Sequence, residues 1–119
     1  MLLKSKSKKR LTSKMVISGL KKQKAIPVAG CFDQFITIDE KTCYGMCALG
    51  AVYGPDGPSK IESSSYVEGV AAGFDDNICY IDYIDNYNDN ELIEFLKGFC
   101  DGVKIHVDAL KAFGFLTKE

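Results

Sequence analysis

The sequence predicts a mainly α fold, a small single-domain bundle of about four helices with room for one short β-hairpin or extended segment near Phe35. Apolar residues recur at helical spacing through the C-terminal third, and cap and stop residues bracket several such stretches. The length of 119 residues suits one domain rather than two. Hydrophobic residues make up 46% and charged residues 26%, which excludes collagen-like, low-complexity and wholly disordered chains. The longest uncharged stretch, residues 42–55, is shorter than a bilayer span and is broken by three glycines.

Residues 1–11 read as a basic flexible arm and residues 12–119 as the helical domain. Thr12 or Ser13 can cap a short helix ending near Leu20 or Lys22, with Met15, Val16 and Leu20 as its apolar stripe. Pro27 and Gly30 then interrupt the chain, and residues 32–38 suit a short strand or an extended connector. Asp39 reads as the cap of a second helix carrying Cys43, Gly45, Cys47 and Gly50 as far as Tyr53, stopped by Gly54 and Pro55. Glycine inside a helix costs about 1 kcal/mol against alanine, so Gly45 and Gly50 imply another backbone close by. Residues 55–58 are turn chemistry.

Ser65 and Glu68 have capping-box spacing for a third helix, with Tyr66, Val67, Val70, Ala71 and Phe74 facing inward. Residues 78–84 fit a helix and a strand equally. The final helix has Asn88 and Glu91 as its cap pair and Leu92, Phe95, Leu96, Phe99, Val103, Val107 and Leu110 in register, with Gly114 to end it. Gly98 and Gly102, one turn apart, permit a close helix crossing or a bend.

The run Cys47-Ala48-Leu49-Gly50-Ala51, a tyrosine soon after it, and Asn88-Asp89 ahead of a leucine-bearing helix form a recognisable set. It resembles small uncharacterised helical proteins of bacteria and their phages that carry a Cys-Ala-Leu-Gly-Ala helix and a later Asn-Asp cap. Tyr87 stands where that group has a tryptophan. The resemblance implies an all-helical fold and no particular activity.

The net charge of -1 conceals a polarised chain. Residues 1–32 hold nine basic residues and no acidic one, whereas residues 33–119 hold six basic and all sixteen acidic residues. Three readings of the basic arm compete: a solvated tail, a phosphate-contacting arm, and an organelle-targeting segment, against which the single Arg10 counts. No aromatic residue precedes Phe32, so binding by the arm would be blind to base sequence.

Five cysteines, an odd number without a secretory pattern, argue against a disulfide framework. Cys43 and Cys47, four apart on a helix, could hold zinc with Cys31 and Cys79 or with His106. No Cys-x-x-Cys pair exists, however, and core filling is the preferred reading. His106 is the sole histidine and reads as structural. The acidic segment around residues 82–91 fails the calcium-loop pattern at Ile84 and Tyr87. Phosphate-binding glycine loops and nucleophile elbows are missing.

The expected function is therefore a non-enzymatic, cytoplasmic interaction protein of bacterial or phage type, with no cofactor, no metal, no membrane association and an open oligomeric state. Lys4, Lys6, Lys8, Lys9, Arg10 and Lys14 would contact polyanion (RNA or DNA) or a partner. Tyr80, Asp82, Tyr83, Asp85 and Tyr87 would form an acidic, aromatic face for docking a protein. The alternatives are a small metalloprotein or cysteine-dependent enzyme using Cys43, Cys47 and His106, and a structural component of a virion or ribonucleoprotein.

Overall fold

A computed structural model describes residues 10–30, 32–60, 63–75 and 86–116. Over these residues the order is α1 (Ser13–Lys22), β1 (Ile26–Pro27), β2 (Gln34–Ile38), β3 (Lys41–Met46), α2 (Ala48–Tyr53), α3 (Ser65–Asp75) and α4 (Asp89–Ala112). The expected helical bundle is corrected by the sheet: four helices share the described residues with three strands in the order β1-β3-β2. The same finding overturns the all-helical fold that the resemblance implied. No helix among the described residues is long and apolar enough to cross a membrane.

The largest difference from expectation falls at Asp39, which starts no helix. Asp39 and Glu40 both adopt positive φ, 51° and 66°, and form the two-residue turn of a hairpin. In its register Ile38 faces Lys41, Phe35 faces Tyr44 and Gln34 faces Gly45. Two left-handed residues match the right-handed strand twist, which is why such turns join tight hairpins. Phe35 and Tyr44 stack on one face, with centroids 5.1 Å apart. β1 adds to the other side of β3 in parallel, Ile26 opposite Gly45. The helix expected from Asp39 thus begins only at Ala48, with Cys47 as its N-cap.

Glutamate in the left-handed region is disfavoured by roughly 1–2 kcal/mol. Glu40→Gly is therefore expected to raise the unfolding free energy by about 1 kcal/mol, read from urea denaturation. A loss of stability would show that the turn does not hold Glu40 in that conformation.

α1 begins where Thr12 accepts a hydrogen bond from the Met15 amide, and it buries Val16 and Leu20. Its Gly19 lies against α2, where a Cβ would stand 2.2 Å from the Ala51 carbonyl oxygen. Gly50 is held in the same way against the Phe32 carbonyl, whereas Gly45 meets only the Val28 side chain. Ser64, not Ser65, caps α3, accepting from the Val67 amide. Asn88 and Glu91 make the reciprocal cap of α4.

Four glycines decide how α3 meets α4. A Cβ on Gly69 would lie 2.0 Å from the Phe95 carbonyl oxygen, and one on Gly73 would lie 2.2 Å from that of Phe99. Reciprocally, Gly98 abuts the Tyr66 carbonyl and Gly102 that of Val70. Contact positions rise together along both helices, so the two run parallel, backbone on backbone. The buried face of α4 is consequently Phe95, Gly98, Gly102, Ile105 and Ala109. Leu96, Val103 and Val107, expected inside, are exposed, because the glycines rather than the bulkier side chains choose the closest approach. Ala71 of α3 is likewise only partly buried, while Tyr66, Val67, Val70 and Phe74 are buried as expected.

Candidate functional site

α1 presents one apolar and one basic side. Val16 and Leu20 are fully buried, and Lys14, Ser18, Lys21 and Lys22 are exposed on the outer surface. Among the described residues none of these lysines is paired with a carboxylate. Lys21 and Lys22 occupy the last turn, where positive charge complements the helix dipole.

The end of α1 has a Schellman geometry, the Ala25 amide donating to the Leu20 carbonyl at 2.8 Å and Lys24 to Lys21 at 3.1 Å. The left-handed residue in that motif is Lys24, with φ 56°. Glycine is the residue this position favours. At the end of α4 the equivalent position is indeed Gly114, with φ 80°. α1 therefore keeps a fourth exposed lysine at a position that disfavours it.

The start of α1 is anchored to α3 and α4 by a polar network. The buried Tyr66 hydroxyl accepts from the Leu11 amide at 2.9 Å and donates to Asp101 Oδ2 at 2.5 Å. Arg10 grips the same carboxylate bidentately, its Nη2 at 2.9 Å from both oxygens. Burial and, secondly, the Asp101 carboxylate push the Tyr66 phenol up to about 12. Further along, Asp108 accepts from Ser13 at 2.5 Å and from Lys104 at 2.8 Å. The Lys104 ammonium and then the Ser13 hydroxyl hold the Asp108 carboxyl below its usual range. A groove of about 430 Å³ between α1 and α4 is lined by Arg10, Ser13, Lys14, Asp101 and Lys104.

Of the expected polyanion contacts, Arg10 and Lys14 come together at this groove, and Lys4, Lys6, Lys8 and Lys9 lie outside the described residues. Arg10 is committed to Asp101, so its charge is largely offset, while Lys14 remains available. Lys21, Lys22 and Lys24 complete the face. The spacing of Lys21 and Lys22 from Lys14, seven and eight residues, was the signal in the sequence that these side chains share the outer side of one helix, and Lys24 follows just past its end.

Of the expected acidic docking face, Tyr80, Asp82, Tyr83 and Asp85 lie outside the described residues. Tyr87 is half-buried: its hydroxyl donates to Glu68, and its ring packs 5.4 Å from that of Phe95. Its contacts thus tie the start of α4 to α3.

The alternative cysteine set is not assembled. Cys43 lies on β3 and Cys47 caps α2, so the two do not share a helix face. His106 packs its ring on Phe74, centroids 4.8 Å apart. Cys31 and Cys79 lie outside the described residues. Among the described residues no three His, Cys, Asp or Glu side chains converge to hold a metal ion. Cys47 stands at a helix N-terminus, a position that can activate a thiol. Burial wins there, pushing the thiol up against the opposing pull of the Gly50 and Leu49 amides. Burial likewise pushes the Asp75 carboxyl up, although it accepts from the Gly30 amide at 2.9 Å.

Comparison with protein-family models, with curated proteins and with solved structures returns no match.

Proposed function

We propose that the chain is a non-enzymatic interaction protein that holds the phosphate backbone of RNA or DNA along the outer face of α1. The observation that carries this reading is the row of Lys14, Lys21, Lys22 and Lys24, without a carboxylate partner among the described residues, on a segment without acidic residues. The presence of Lys24 at a glycine-favouring position supports it, because a bland solvated surface needs no charge there. Lysines gain affinity for nucleic acid by releasing its condensed counterions, a contribution that ignores base identity and weakens with salt. The anchor of Tyr66, Asp101 and Arg10 fixes the start of α1 on the body, so the lysine row is presented on a rigid helix. Cys47, whose thiol is pushed up by burial, offers no ready nucleophile.

Filter binding to RNA and to duplex DNA over a salt series tests the proposal. Three to four phosphate contacts on duplex DNA predict an affinity loss of roughly 40- to 150-fold between about 50 and 200 mM salt. Substituting Lys14, Lys21, Lys22 and Lys24 together by glutamine should flatten that dependence by about one log unit of slope per contact removed. Salt-sensitive binding that survives the four substitutions would remove α1 from the interface.

A further inference from the structure

The side of α4 turned away from α3 carries a second apolar pattern that the fold leaves exposed except at the half-buried Leu110. Ile93, Cys100 and Val107 recur every seven residues, and Leu96, Val103 and Leu110 recur every seven residues between them. This is a heptad seam in which the first set occupies the a positions and the second the d positions. The seam lies opposite the buried face of Phe95, Gly98, Gly102, Ile105 and Ala109. Ile93 is 51% exposed, Leu96 45%, Val103 41% and Val107 38%, and Cys100 is also exposed. Isolated apolar residues on a surface are ordinary, but a continuous stripe along three heptads of one helix is not.

From this pattern we infer that α4 pairs with α4 of a second copy of the chain, in parallel and in register. Residue types favour two strands: β-branched Ile93 and Val107 stand at a, and Leu96 and Leu110 at d. The flanking charges fix the orientation. Lys97, Lys104 and Lys111 occupy every e position, whereas the g positions hold Leu92, Phe99, His106 and Phe113. In an antiparallel pair e meets e, and the lysine rows would oppose each other along the whole seam. In a parallel pair e meets g, so the Lys97 and Lys104 stems lie over the second copy's partially buried Leu92 and Phe99 and Lys111 lies beside His106, each ammonium reaching solvent.

Acidic residues occupy every b position, Glu94, Asp101 and Asp108, and two of them balance the lysine row from its own helix while Asp101 is taken by Arg10. Lys97 bonds Glu94 and Lys104 bonds Asp108 in this way. A free three-heptad peptide would have to order itself as well as pair. α4 is already held as a helix by α3, so pairing costs it little further backbone order.

Parallel registration makes a specific demand: the two Cys100 residues face each other in one a layer, at a separation a disulfide can bridge. Mild diamide treatment of the full chain, in which two thiols pass their electrons and protons to the diamide, is then expected to give a covalent dimer. Cys100→Ser should abolish that dimer. Without oxidant, sedimentation equilibrium is expected to show a species of twice the 13.1 kDa chain mass that grows with concentration.

Leu96→Glu with Val103→Glu should leave a monomer. Both sites are exposed in the single chain, so circular dichroism of that variant should be unchanged. A monomer at every concentration, a dimer that persists in the double variant, or a dimer that diamide cannot lock through Cys100 would each overturn the inference.

Discussion

Gly98→Ala is expected to destabilise the protein by about 2–3 kcal/mol, although the substitution improves helix propensity. Propensity alone would favour alanine by about 1 kcal/mol, so the two effects have opposite signs and one unfolding curve separates them. The added methyl would stand 2.0 Å from the Tyr66 carbonyl oxygen and 2.9 Å from the Val70 amide nitrogen. Both are backbone atoms, which cannot turn aside as a side chain can. α3 must therefore move outward, opening the contacts at Gly69, Gly73 and Gly102 together. Once it has moved, a second methyl at Gly69 meets less resistance. The double variant Gly69→Ala, Gly98→Ala is expected to lose clearly less than the sum of its parts. Denaturant midpoints with unchanged slopes would report this as stability. A gain from Gly98→Ala would show that the helices are not in backbone contact.

Those glycines also show which features could be read from the sequence. Helix ends at Thr12, Asn88 and Gly114 were legible, because caps and stops are local chemistry set by residues within one turn. The buried face of α4 was legible only in part: Phe95 and the close crossing at Gly98 and Gly102 could be read, but Leu96, Val103 and Val107 point to another side. A hydrophobic count favours Leu96, Val103 and Val107, yet the lowest-energy contact is the one that lets two backbones touch. The first strand of the hairpin, β2, fell within residues 32–38, which suited a strand, but its turn and second strand were hidden for a related reason. Asp39-Glu40 lacks the glycine that usually announces such a turn, and an aspartate before a polar-apolar run reads equally as a helix cap.

Of the candidate site, the basic segment was evident from charge alone. Commitment of Arg10 to Asp101, ninety-one residues away, depends on tertiary placement and left no local trace. The seam on α4 was visible as an apolar register, but its exposure could be known only after α3 had claimed the opposite side.

Tyr66 joins the anchor of α1 to the packing of α3, and its titration makes that junction measurable. Its phenol is raised from the ordinary 10.0 to about 12, first by burial and then by the hydrogen bond to Asp101. The folded state therefore holds this proton more tightly than the unfolded chain does. The corresponding stability is fully present below pH 10.0 and is lost as pH rises towards about 12. Tyr66→Phe is expected to cost about 1–2 kcal/mol near neutrality, because the Leu11 amide loses its acceptor. The gap between the two proteins should then narrow across the alkaline range. Six tyrosines absorb together, but subtracting the titration of the Phe variant isolates the one of interest. Asp101→Asn should lower the Tyr66 midpoint only part of the way back, since burial is the larger cause and Asn keeps an acceptor in place. A midpoint near 10.0 in the unsubstituted protein would mean that Tyr66 is in solvent, and that α1 is not held to the body at Leu11. In that case the lysine row would not be fixed at its Leu11 end.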